Sequence, residues 1–189
     1  SDDILAYAML TQTYYQMGQS ALAVAQLEKI AKLEPYHADN WYRLGLANHE
    51  IKDLIQAENA FIYCTSLNPN HKDAWYFLAL TYLENDAFQK AIECFQEHDR
   101  LSPNDLVTHL NWIICERELQ LYSQALEHCD TLATLYPNEA EIQIEKAIVL
   151  QCMERYNDAY NIFIQYKDLP NNVFPLFYLS KICCKTNQL

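Results

Sequence analysis

Two glycines and six prolines in 189 residues are too few for a turn-rich β fold or a flexible, linker-like chain. They also rule out a Gly-rich phosphate-binding loop. No run reaches the roughly 18 uncharged apolar residues that a membrane span requires, so insertion into a bilayer is not expected. Serine nucleophile elbows, HExxH pairs and EF-hand loops are missing as well. The chain therefore reads as a non-enzyme without a cofactor. Its N-terminus, Ser1-Asp2-Asp3, carries neither a basic patch nor the apolar core of a secretory signal, and it has no initiator Met. The expectation from such a start is an excised or processed segment.

Positive charge is scarce: 13 Lys and Arg face 25 Asp and Glu, for a net charge of −12. The few basic residues are scattered, so a phosphate backbone would be repelled and nucleic acid is excluded as a partner. The seven cysteines, Cys64, Cys94, Cys115, Cys129, Cys152, Cys183 and Cys184, form no CxxC pair and no finger-like spacing with histidines. An odd set of thiols, most of them at apolar positions, suits a reducing compartment and gives the expectation of a cytoplasmic location.

What the chain does have is a period of 34 residues. Trp41 answers to Trp75, Leu44 to Leu78, Ala57 to Ala91, Phe61 to Phe95 and Pro69 to Pro103. A fixed period of this size marks an array. Five units align, 4–37, 38–71, 72–105, 106–139 and 140–172, followed by a half-unit, 173–189, after a one-residue slip at Pro170. Position 20 of the unit is always alanine: Ala23, Ala57, Ala91, Ala125 and Ala159. Position 24 reads Leu27, Phe61, Phe95, Cys129 and Phe163, and position 32 reads Pro35, Pro69, Pro103 and Pro137. Positions 4, 7, 8 and 11 share one face of a first helix, A; positions 20, 24 and 27 share one face of a second, B. The small residue at 20 lets two helices approach closely, the residue at 24 fills the space beside it, and proline ends helix B.

These columns resemble the tetratricopeptide repeat, with a bulky residue at 4, Leu at 7, a small residue at 8, Tyr at 11, Ala at 20, Phe at 24, Ala at 27 and Pro at 32. The resemblance covers essentially the whole chain, 1–189, as a single array. It implies an all-α fold, a right-handed α-solenoid of antiparallel helix pairs. Several positions depart from the pattern. Asn48 stands at position 11 of the second unit, His98 at position 27 of the third, and His109 and Glu116 at positions 4 and 11 of the fourth. Ile113 occupies a small-residue position, which implies wider helix spacing or a local adjustment. Gln143 and Lys146 make the fifth unit's first helix the weakest match. The half-unit either covers the last core face or marks a cut within a longer array, with the cut preferred.

The resemblance also implies a partner surface along helix A. Positions 5 and 9 are Tyr42 and Leu46, Tyr76 and Leu80, Leu110 and Ile114, and Ile144 and Ile148. Leu83, Val107, Phe174 and Phe177 extend this strip, and a contiguous exposed apolar patch usually marks a binding face. Asp39, Glu50, Asp73, Glu84, Glu118 and Glu141 flank it as an acidic rim. Together they predict a scaffold that binds a peptide or helical segment of a partner protein, apolar with basic flanks. The alternatives are a regulatory or substrate-recruiting arm of a larger enzyme, and self-association through the half-unit.

Two binding modes known in the family are not matched. The carboxylate-clamp positions are Ala8, Gln12, Arg43, Asp73 and Phe77, of which one is basic. The asparagine-ladder positions are Met9, Arg43, Phe77, Asn111 and Glu145. Cys94 and His98 lie four apart on one helix, a spacing able to present two metal ligands, but packing or a buried hydrogen bond accounts for them and no metal is expected. Neither His128 with Cys129 nor the adjacent Cys183 and Cys184 is expected to be reactive.

Overall fold

The computed structural model describes residues 2–167 and 177–182. Ten helices follow one another: α1 (Asp2–Gln16), α2 (Ser20–Leu33), α3 (Ala38–Glu50), α4 (Leu54–Leu67), α5 (Lys72–Glu84), α6 (Phe88–Leu101), α7 (Leu106–Glu118), α8 (Tyr122–Leu135), α9 (Ala140–Cys152) and α10 (Tyr156–Phe163). Residues 177–182 are helical too, and no strand occurs among the described residues. The fold is all-α. Of the half-unit 173–189, only 177–182 is described; Phe174, Cys183 and Cys184 fall outside.

The chain forms two compact units, Ser1–Asn104 and Asp105–Leu189. In the first, α1 packs on α2, α3 on α4 and α5 on α6, with α2 against α3 and α4 against α5. In the second, α7 packs on α8, α8 on α9 and α9 on α10. Within each compact unit, connections of three or four residues leave neighbouring helices no course but an antiparallel one. Despite Gln143 and Lys146, α9 is a full helix of 13 residues.

One turn is made five times. After each A helix a residue enters the left-handed region: Gly18 (φ 68°), Lys52 (63°), Asp86 (56°), Gln120 (60°) and Glu154 (61°). The next backbone N–H then returns to a carbonyl five residues earlier: Gln19 to Tyr14 at 2.8 Å, Asp53 to Asn48 at 2.9 Å, Ala87 to Tyr82 at 2.8 Å, Leu121 to Glu116 at 2.8 Å and Arg155 to Leu150 at 2.9 Å. This is a Schellman termination, which satisfies carbonyls left over at the helix end. Only the first copy has glycine, the residue suited to that backbone. A second device joins successive units. The Trp41 indole N–H donates to the Pro35 carbonyl at 2.8 Å, and Trp75 does the same to Pro69 at 2.9 Å. The tryptophan and proline columns are thus two ends of one contact.

Volume is matched between the helices of a pair. Phe61, Phe95 and Phe163 are fully buried. A Cβ added to Gly45 would lie 2.5 Å from the Phe61 ring, which is why position 8 must be small wherever position 24 is aromatic. The fourth unit reverses the sizes. Ile113 and Cys129 are both fully buried in the same core cluster, so a large residue at position 8 meets a small one at position 24. This is the local adjustment that accommodates Ile113.

Candidate functional site

In the compact unit Ser1–Asn104, Leu46 reaches an apolar pocket of about 240 Å³, lined with it by Ala8, Thr11 and Tyr15 of α1, Leu27 and Ile30 of α2, and Arg43 of α3. The pocket exists because position 5 of the first unit is Ala8, where the next two units place Tyr42 and Tyr76. Burial, and secondarily the charge of Glu50, raises the pKa of the Tyr15 phenol. The Glu50 carboxylate accepts from Ser20 Oγ at 3.4 Å. Arg43 is exposed at the mouth. The pocket therefore combines an aliphatic floor with a phenol, a guanidinium and a nearby carboxylate at its edge.

Of the expected strip residues, Tyr42, Leu46, Tyr76, Leu80 and Leu83 are half-buried. The two tyrosines are already engaged. Tyr42 lies 4.6 Å from the His71 ring and 6.1 Å from Phe77, while Tyr76 lies 5.3 Å from His98 and 6.3 Å from Phe95. His98 is buried, and its Nδ1 lies 3.0 Å from the Lys72 carbonyl, to which it donates. Thr11, Tyr15, Leu27 and Ile30 were not in the expected strip. The small residue Ala8 in the position-5 column was the available signal for them.

The second unit differs from the expected strip. Val107 is exposed and Leu110 and Ile114 are half-buried. Ile144 and Ile148, expected on an open face, are only 5% and 7% exposed. They are core residues, clustered with Leu179 and Ile182 of the helical segment 177–182. Beside them the surface is polar. A pocket of about 350 Å³ is lined by residues that include Arg117, Glu118, Gln151, Cys152, Tyr178 and Lys181. Arg117 donates to Glu145 at 2.8 Å and to Glu118 at 3.0 Å. Burial raises the pKa of Glu145, an effect that Arg117 opposes.

All six acidic-rim residues are exposed, but several face basic neighbours of the same chain. Asp39 lies 3.5 Å from His71; Glu84 lies 3.1 Å from His49 and 2.7 Å from Lys52; Glu118 pairs with Arg117. Asp73 and Glu141 complete the set. Lys52 and Arg117 therefore offset part of the rim's negative charge.

The departures of the fourth repeat gather with His128 into one half-buried polar cluster. His128 Nδ1 lies 3.3 Å from Glu116 Oε2, and its Nε2 lies 2.8 Å from His109 Nδ1. With the proton on Nδ1 of each ring, His128 donates to the carboxylate and accepts from His109. Trp112 packs against both rings. This cluster ties α7 to α8. Among the described residues, no group of three or more His, Cys, Asp or Glu is placed to hold a metal ion, and no helix is long and apolar enough to cross a membrane.

Successive helix pairs, a repeated left-handed turn and a pocket between first helices define a helical-repeat protein. A family profile described as tetratricopeptide repeat matches residues 9–62 and again 53–105. The chain belongs to the tetratricopeptide repeat family. No curated protein matches the sequence. Among solved structures, the chain is similar to MamA (41-end) from Desulfovibrio magneticus RS-1, with a TM-score of 0.80 and 18% identity over 89% of this chain and 96% of that one. It is also similar to a tetratricopeptide repeat protein from Parabacteroides merdae ATCC 43184, with a TM-score of 0.89 and 14% identity over 100% of this chain and 75% of that one. A third similarity is to YrrB, described as a TPR protein with an unusual peptide-binding site, with a TM-score of 0.76 and 16% identity over 90% of this chain and 89% of that one. At these identities the likeness is one of fold. Tetratricopeptide proteins are generally non-catalytic interaction modules, and family membership supports a protein–protein interaction scaffold.

Proposed function

We propose that the chain holds a short segment of a partner protein, anchored by one large apolar side chain in the Ala8–Leu46 pocket. The observation that carries this reading is the pocket itself: an apolar floor of Ala8, Leu27, Ile30 and Leu46, with Arg43 and Tyr15 at its edge. Desolvation of an apolar anchor supplies affinity, while the polar edge fixes orientation. Tyr42, Tyr76, Leu80 and Leu83 continue the contact within the first unit; Val107, Leu110 and Ile114 offer a separate, smaller contact in the second. Ile144 and Ile148 are left out because their own core occupies them. The acidic rim favours basic residues flanking the anchor, chiefly through association rate. YrrB, described as having a peptide-binding site, supports a peptide ligand by fold analogy alone. A cytoplasmic location belongs to the same reading, supported by the buried thiols Cys64, Cys94, Cys115 and Cys129.

Selection of displayed random peptides on the purified protein tests this. The expected consensus is one bulky apolar residue with Lys or Arg nearby. Leu46→Glu and Ala8→Leu, the second of which fills the pocket, should each weaken the selected peptides by at least about tenfold, with helical circular dichroism and melting temperature retained. Peptides that bind both variants as well as wild type would refute the assignment.

A further inference from the structure

A second pocket lies on the other face of α3, between α2 and α4, and it arises from a single departure in the repeat. Position 11 of the third unit is Tyr82, whose buried phenol is hydrogen-bonded by Glu58 and raised well above its ordinary pKa, first by burial and then by that carboxylate. Lys90 lies 5.0 Å from the Tyr82 ring centre and 3.9 Å from Glu58. These three side chains fill the space between α4, α5 and α6. One repeat earlier the same places hold Val24, Asn48 and Gln56. Asn48 is too short to cross the gap, and its amide turns back to donate to the Leu44 carbonyl at 3.0 Å. A pocket of about 350 Å³ remains, within the range of small-ligand sites.

The pocket has a distinct chemistry. One wall is the aromatic pair Trp41 and Tyr63, stacked at 4.7 Å with 18° between their planes. Gln56, Asn59 and Asn48 supply amides, Glu28 supplies a carboxylate, and no cationic side chain lines it. Lys32 lies 3.7 Å from Glu28, but both are solvent-exposed neighbours one helical turn apart, an arrangement worth little. A carboxylate and amide oxygens beside aromatic rings, in a chain of net charge −12, match a planar cation. A guanidinium stacks on such rings and donates in its plane to such acceptors.

We infer that this α2–α3–α4 pocket is a binding site for an arginine side chain of a partner protein. The site is separate from the Ala8–Leu46 pocket and does not depend on it.

Acetyl-arginine methylamide, titrated into the isotope-labelled protein at millimolar concentrations, provides the test. The reporter is the Trp41 indole N–H resonance, identified by its loss in Trp41→Phe. A saturable shift is expected with the arginine compound and not with its citrulline counterpart, which has the same shape without the charge. Asn48→Tyr restores the residue of the neighbouring repeat and should abolish the shift while melting at or above wild type. Glu28→Gln, at an exposed position, should weaken binding by roughly tenfold, the factor carried by one charge-assisted hydrogen bond. Absence of a saturable shift overturns the inference, as does an equal response to citrulline or unchanged binding by Glu28→Gln. Binding retained by a folded Asn48→Tyr protein also overturns it.

Discussion

Single side chains in this protein act mainly through their volume and their separation from water. Cys64, Cys94, Cys115 and Cys129 are buried, and their thiols are pushed up to about 12, in each case first by burial and then by neighbouring carboxylates. The thiolate is the reactive form, so these four should resist a disulfide reagent at pH 8 until the protein unfolds, whereas exposed Cys152 should react at once. Mass-spectrometric mapping of the labelled sites checks this; early labelling of Cys129 would contradict it. The same shifts govern alkaline stability. An unfolded thiol ionises near 9.0 while the folded one keeps its proton to about 12, so above that lower value the unfolded chain binds fewer protons and stability falls as pH rises. The contribution is fully present below pH 9.

At the scale of the helix, the recurring decision is how to stop and turn back. The five Schellman turns require a left-handed residue, yet four use Lys52, Asp86, Gln120 and Glu154. A side chain in that region costs about 1–2 kcal/mol, partly offset because glycine loses more freedom on folding. Gln120→Gly and Glu154→Gly should therefore each stabilise the protein by about 0.5–1 kcal/mol in urea unfolding. Gly18→Ala should destabilise it by about 1 kcal/mol through backbone strain alone, since a Cβ there meets nothing within 4 Å. Opposite signs would mean that the turn is not maintained in solution. Only Gly18 announces this turn in the sequence; the other copies are visible only by their position in the period.

For the molecule as a whole, the dominant electrostatic fact is a net charge of −12. Self-repulsion of that kind is screened by salt, whereas the exposed ion pairs of the rim contribute little to be lost. Raising salt from about 10 to 200 mM should add about 1 kcal/mol of stability and raise the melting temperature by about 2–4 °C. A fall in melting temperature would instead show that pairs such as Lys52–Glu84 and Arg117–Glu145 outweigh the repulsion.

The sequence by itself determined the all-α class, the 34-residue period and the family, because alanine, aromatic and proline columns follow directly from how one helix meets the next. Tertiary structure decided which apolar side chains are spare. Ile144 and Leu46 occupy comparable strip positions, yet Leu179 and Ile182 cover the first, while Ala8 leaves space beside the second. Periodicity identifies the face of a helix that a residue occupies, but exposure depends on the size of whatever packs opposite. The same reason hid the exchange between Ile113 and Cys129 and the pocket opened by Asn48: each depends on a partner from another helix, and only the folded chain brings those partners together.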